Sequence, residues 1–300
     1  MARNNLKDWT AQKERTSGFW LKIIRRLALL LPRWAVGLLL HPITLFYLLI
    51  SKQQKAASRH YLNQVLDRPV RFSDVYKHFL WFATTILDRV YFLTGRIDGF
   101  QVEYDNLEEW RASMAENPAQ LYLGAHFGSL DAIRALSLDQ YGIKIKIVLK
   151  VDQNQALVNL LNELNPGLAE NVIPYNGMKT IFDIHETLES GNSVAMLKDR
   201  AVGEEATVTV NFFNDRIAVP VSGFKLAKRF NIPINVFFSR FEGGNKYHVH
   251  SEQLEFDQQT SLQEMAQIFM NRVEEQCRIA PYNWFNFYHY WLDTDESDAG

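Results

Sequence analysis

One cysteine, Cys277, stands in 300 residues, so no disulfide can form within the chain. A single thiol fits a reducing compartment, where stability comes from burial and not from cross-links. The short motifs that announce common chemistries are missing too. There is no G-x-S-x-G nucleophile elbow, no G-x-x-x-x-G-K-(S/T) phosphate loop and no G-x-G-x-x-G dinucleotide turn. His185-Glu186 lacks the second histidine of H-E-x-x-H, and nothing points to a metal or another cofactor. No zinc-finger, RNA-recognition or helix-turn-helix pattern occurs, so nucleic acid is not an expected partner. Internal repeats and long low-complexity linkers are also absent.

What is present is apolar and unevenly charged. Hydrophobic residues make up 47% of the chain, enough for a packed core in one large domain. The net charge of −2 hides a division. Residues 1–59 carry 11 Lys or Arg against Asp8 and Glu14, while the remainder holds 21 basic and 32 acidic side chains. A basic apolar head on an acidic body is drawn to anionic lipid headgroups.

That head contains the longest uncharged run, residues 34–50. It is short for a spanning helix, and His41-Pro42 is expected to kink it. No small-residue cleavage site follows Ile50; instead the basic amphipathic stretch SKQQKAASRHYL does. Arg25, Arg26, Lys52 and Lys55 flank the run, as in a membrane-inserted or re-entrant anchor. Residues 73–97 read as an amphipathic helix with Ser73 as N-cap. From residue 100 short apolar runs alternate with helical stretches, the signature of α/β units on a mostly parallel sheet flanked by helices. Glu242-Gly243-Gly244-Asn245 marks a hairpin, and a last helix covers 261–277. The expected organisation is a flexible basic segment (1–17), anchor and interfacial helices (18–58), an α/β domain (59–292) and an acidic tail (293–300).

The most informative segment is LGAHFGSLD, residues 123–131. A strand ends in Gly124-Ala125, His126 follows, and Gly128-Ser129 opens a helix. Functional groups in open α/β sheets lie at the carboxyl ends of strands. With Ser129 as N-cap, Asp131 falls in the first helical turn, from where its carboxylate is expected to reach back to one imidazole nitrogen. The other nitrogen would then take a proton from an acceptor. Backbone N–H groups at Gly128 and Ser129 are candidates for meeting developing negative charge. The H-x4-D/E spacing alone is unspecific, and His250…Glu255 matches it as well, but inside a strand pattern without a glycine turn. Its expected role is structural. Cys277, late in a helix, reads as packing. Without a nucleophile for an acyl-enzyme, direct transfer is the simpler chemistry.

These residues resemble the late acyltransferases of lipid A biosynthesis, part of the wider lysophospholipid acyltransferase group. The resemblance runs from about residue 17 to 291. It rests on HFGSLD, on Ser58-Arg59…Tyr61-Leu62 after the anchor, and on the strand VAMLKD ending at Asp199. It rests further on Val210-Asn211-Phe212-Phe213 with Ala218, Pro220, Gly223, Leu226 and Ala227, and on Pro281…Trp284…His289. It implies an acyl carrier protein thioester, or acyl-CoA, as donor, and a membrane lipid hydroxyl as acceptor. It also implies a His126/Asp131 base dyad working at the cytoplasmic face of the inner membrane. Lys150, Lys179 and Arg200 are then candidates for holding substrate phosphate, with Asp199 orienting one of them; the alternative is solvated charge. The chain reads Leu149-Lys150 where that family usually has Tyr-Arg, Asp199-Arg200 where it often has Asp-Gln, and His289-Tyr290-Trp291 where it usually has His-Arg-Arg. Fewer cations weaken the attraction for a heavily phosphorylated acceptor. A glycerolipid, aminolipid or polyene-type acceptor therefore stays open, as does a non-catalytic membrane scaffold of the same fold.

Overall fold

The computed structural model describes residues 26–133, 145–150, 159, 163–164, 167, 170–201, 205–257 and 259–292. The expected basic segment 1–17, the start of the anchor, the helical stretch within 151–162, and the acidic tail lie outside these residues.

The uncharged run forms helix α1 (Arg33–Ile50), which continues through Pro42. Val36, Leu40, Thr44 and Leu48 are its buried residues, one stripe at four-residue spacing. The other faces stay apolar and exposed, with Trp34, Leu38 and Leu49 each more than 60% accessible. Helix α2 (Lys52–Val65) follows, then α3 (Phe72–Leu93). The stripe of α1 packs on Leu87, Val90 and Tyr91 of α3. Arg33 locks the pair, its Nε and Nη2 donating to Asp88 at 2.6 and 2.7 Å.

Helix α3 begins at Phe72, one residue before the expected Ser73 cap, and ends at Leu93 rather than at 97. Asp74 sets the start. Its carboxylate accepts from the Arg71 backbone N–H, from both ends of the Arg68 fork and from Tyr282 Oη. A carboxylate in a first helical turn also suits the helix dipole.

The body is α/β with a mostly parallel mixed sheet. Its strands are β1 (Gln101–Asp105), β2 (Leu121–Gly124), β3 (Ile145–Leu149), β4 (Val172–Pro174), β5 (Ser193–Leu197), β8 (Ile234–Gly243) and β9 (Lys246–Leu254), in the order β1-β9-β8-β2-β5-β3-β4. Only β8 and β9 pair antiparallel, through the glycine hairpin read from the sequence. A separate hairpin joins β6 (Thr207–Phe212) to β7 (Asp215–Pro220). Around the strands lie α4 (Leu107–Glu116), the turn α5 (Leu130–Ile133), α6 (Met178–Glu189), α7 (Ser222–Phe230) and α8 (Leu262–Ile279). Helix α8 starts in a capping box, Ser261 Oγ accepting from the Glu264 N–H and Glu264 from the Ser261 N–H.

The main core draws on β2, β5, β8, α7 and α8 and extends to Trp284, Tyr290 and Trp291 of the C-terminal segment. That segment crosses the carboxyl end of the sheet, Phe127 bridging to Trp284. A smaller apolar cluster, with Trp110, Tyr122, Ile133 and Phe237, lies under α4 and α5.

Candidate active site

Strands β2 and β5 are parallel neighbours, and their register pairs Gly124 with Leu197. His126 and Asp199 each sit two residues beyond that pair, so the sheet delivers both to one place. Lys198 N–H donates to Gly124 O at 2.9 Å and carries the ladder one step further.

His126 Nδ1 and Asp199 Oδ1 are 2.7 Å apart. An ionised carboxylate only accepts, so the proton of the neutral ring lies on Nδ1 and Nε2 is left with its lone pair. The acid was expected to be Asp131. The structure places Asp131 on Arg89 of α3 instead, with Nε donating to Oδ2 at 2.6 Å. The local folding was read correctly: Ser129 Oγ caps the Ala132 N–H, and Asp131 lies in the first turn of α5.

Asp199 is fully buried and its other oxygen is also held. Oδ2 accepts from Arg200 Nε and Nη2 at 3.1 and 2.8 Å, and from Trp284 Nε1 at 3.2 Å. Tyr290 Oη donates to the Asp199 backbone carbonyl. Burial alone would push this carboxyl up. Arg200, then His126, outweigh burial and hold it well below the usual carboxylate range. Burial lowers the His126 imidazole below its ordinary value, Arg200 adds to that, and Asp199 opposes both. The ring is therefore neutral at pH 7, and 39% of its side chain still reaches solvent. A neutral imidazole with a fixed tautomer and an open Nε2 is equipped to accept a proton.

Gly128 has φ +60°, and a Cβ there would lie 1.4 Å from Ser239 O. Only glycine lets the His126 loop press against β8. The Gly128 N–H donates to Asn283 O and the Ser129 N–H to Ser239 O, so both are occupied by protein carbonyls. Arg200 is committed to Asp199 and lies under the Tyr288 ring, 5.1 Å from its centroid. Lys179 is exposed on α6 and paired with Asp183 at 2.8 Å. Lys150 follows the last residue of β3, half-buried, at the carboxyl end of the sheet where His126 also lies. His250 faces Asp105 and Glu252 on the outer strands, away from this constellation.

Several contributors were given no part in the site by the sequence reading: Trp284 and Tyr290, named there only as members of the C-terminal block, and Arg89, together with a buried pair beside Asp199. There Lys198 Nζ is 2.6 Å from Glu205, which also accepts from Ser222. Ligand atoms of Glu103, Glu242 and His248 lie within 4.8 Å of one another on the outer strands. Two of those residues are exposed carboxylates, and they carry none of the chemistry around His126.

Beside the site, a narrow apolar slot is lined by Trp110, Tyr122, Leu130, Ile133, Ala195 and Phe237 among others. Leu130 and Ile133 belong to α5, which begins four residues after His126.

A histidine base with a buried acid beside an apolar slot suits acyl transfer to an alcohol. The sequence model of the bacterial lipid A biosynthesis acyltransferases matches residues 7–293. The chain belongs to that family. Among curated proteins none matches it. The acyltransferase thus carries the family's sequence over nearly its whole length, and α1 fits a membrane anchor by length and composition.

Proposed function

We propose that this acyltransferase moves a fatty acyl chain from an acyl carrier protein or acyl-CoA thioester directly to a hydroxyl of a lipid A-like membrane acceptor, with His126 as base. The observation that carries this reading is the 2.7 Å bond from His126 Nδ1 to Asp199. Nε2 removes the acceptor hydroxyl proton as that oxygen attacks the thioester carbonyl. Asp199 steadies the imidazolium that forms. The tetrahedral intermediate collapses, the carbon–sulfur bond breaks, and His126 returns its proton to the leaving thiolate. Asp199 takes the orienting role that the motif spacing assigned to Asp131. The Asp131–Arg89 pair fixes α5 against α3.

The apolar slot is the proposed seat of the donor chain, since its lining is mostly apolar and buries methylenes, with Ser251 among the few polar side chains on it. Gly128 and Ser129 act by shaping the loop. Lys150 remains the candidate for acceptor phosphate. Arg200 and Lys179 are both paired to carboxylates, which favours a second reading: the same reaction on a less phosphorylated acceptor such as a glycerolipid. The exposed apolar faces of α1 support work at a membrane surface, in this reading the cytoplasmic face of the inner membrane.

The test is transfer from a labelled acyl thioester into extracted bacterial membrane lipid, with circular dichroism as folding control. His126→Ala should lose about 10²–10⁴-fold in turnover, and Asp199→Asn should be strongly impaired. Lys150→Ala should act mainly on KM. His250→Ala should be nearly silent. A folded, active His126→Ala protein would sink the proposal.

A further inference from the structure

Helix α3 carries a histidine that the reaction does not use. His78 is fully buried. Its Nε2 lies 2.9 Å from the Trp284 carbonyl oxygen, an acceptor only, so the ring proton is there. Nδ1 must then accept from Ser58 Oγ of α2, 2.8 Å away. The ring stacks on Phe287, centroids 4.7 Å apart, with Tyr61 5.6 Å off on its other side. Burial pushes the imidazole down to about 4, against the small opposing pull of the Trp284 carbonyl, so it stays neutral. A neutral polar ring in an aromatic cage is costly unless both nitrogens are satisfied, and here both are.

Its partner is the residue that clamps the site. Trp284 donates from Nε1 to Asp199 Oδ2, the oxygen opposite the one on His126. The next N–H, of Phe285, donates to the His126 backbone carbonyl at 2.8 Å. Trp284 therefore fixes the catalytic histidine twice, through its carboxylate and through its own backbone. The Trp284 backbone is in turn fixed by His78.

We infer that His78 is a positioning residue for the reaction, holding Trp284 so that Asp199 and His126 keep their alignment. This deepens the reading of His126 as base and rests on it. The chain Ser58–His78–Trp284–Asp199–His126 runs from α2 and α3, the helices next to the anchor, into the carboxyl end of the sheet. Loosening it leaves the reacting groups in place but degrades the support of the imidazolium.

The experiment uses the full chain in detergent micelles. His78→Phe keeps an aromatic filling and removes both hydrogen bonds. His78→Gln keeps one donor toward the Trp284 carbonyl. Trp284→Phe removes the bond to Asp199 and part of the indole packing, and leaves the backbone carbonyl that His78 holds. Transfer from lauroyl-CoA into bacterial membrane lipid gives kcat and KM across pH. The ionisation of His126 is followed by NMR of ¹⁵N-histidine-labelled protein, its signal identified by loss in His126→Ala. In His78→Phe and Trp284→Phe, kcat should fall by about ten- to a hundredfold, the range seen when outer partners of metal-bound histidines are removed, with KM little changed. The His126 midpoint should move to lower pH, because Asp199 supports the charged ring less. His78→Gln should recover part of kcat. Wild-type kcat with an unmoved midpoint in the folded variants overturns the inference. So does a fall in kcat that tracks lost folded fraction with the midpoint unmoved. If His78→Phe does not fold, Trp284→Phe and His78→Gln decide by the same readouts. An active His126→Ala protein would instead refute the base assignment, and the NMR midpoints would still report on the linkage alone.

Discussion

A Cβ on Gly128 would overlap the carbonyl oxygen of Ser239, and the positive φ adds strain for any L side chain. Gly128→Ala should therefore cost more than about 4 kcal/mol, a size kept for severe core and backbone conflicts; a normal melting temperature in that variant would show that the loop can retreat from β8. Asp199 and His126 make a pH prediction. As the proposed base, His126 would have to be neutral to act, and burial with Arg200 lowers its ionisation. The acid limb of kcat/KM should lie below the ordinary histidine value of about 6.5, and Asp199→Asn, which removes the opposing support, should shift it lower still. His78 bears on stability. Its folded value, about 4, lies below the unfolded value, so the unfolded chain binds more protons between them. Stability is full above about pH 6.5 and declines as pH falls toward 4, by up to about 3 kcal/mol; His78→Phe should flatten that part of a melting-temperature profile. The position of His126 at the carboxyl end of β2 was legible because a glycine turn and a helix cap surround it. Its acid was not, since Asp199 lies 73 residues away and reaches it only through the pairing of β2 with β5. Asp131 was the nearer carboxylate in sequence, but Arg89 of α3 draws it off.

At the level of elements, α1 keeps one stripe for α3 and turns the rest outward. Its buried stripe is thus tied to the protein body, and its exposed apolar faces are free to meet lipid. Replacing Trp34, Leu38 and Leu49 together by Gln should leave folding intact and cut binding to vesicles of phosphatidylglycerol, read by flotation; unchanged flotation would place attachment elsewhere. The slot under α4 and α5 makes a second prediction. Ala195 lines it from β5, with Phe237 opposite. Ala195→Leu should fill it and move donor preference toward shorter chains, measured with acyl-CoA of different lengths; an unaltered preference would put the chain in another channel. The strands and the glycine hairpin were readable because short apolar runs and Gly243-Gly244 are local signals. The start of α3 was displaced by Asp74, whose partners Arg68 and Tyr282 converge on it only in the fold.

For the molecule as a whole, charge and anchor act together. Removing residues 1–50 strips the cover from Leu87, Val90 and Tyr91 and leaves Asp88 buried without Arg33. An unpaired buried charge is strongly destabilising, so the truncated chain should aggregate instead of becoming a soluble enzyme; a monodisperse, folded product in size-exclusion chromatography would contradict this. The strand–helix alternation and the basic head gave the overall plan, but the head's attachment depends on partners far along the chain. Arg33 binds Asp88, 55 residues on, and donates from Nη1 to Asn245 Oδ1, 212 residues on; Tyr247 also donates to Asp88. During synthesis these partners reach the anchor late. The apolar helix is made early, while the hairpin turn carrying Asn245 and the strand carrying Tyr247 are still unmade. The face of α3 reaches α1 soon after it is made, but the ties from Arg33 to Asn245 and from Tyr247 to Asp88 close only once the β8–β9 hairpin exists, so completing the anchor's docking is a late step of assembly.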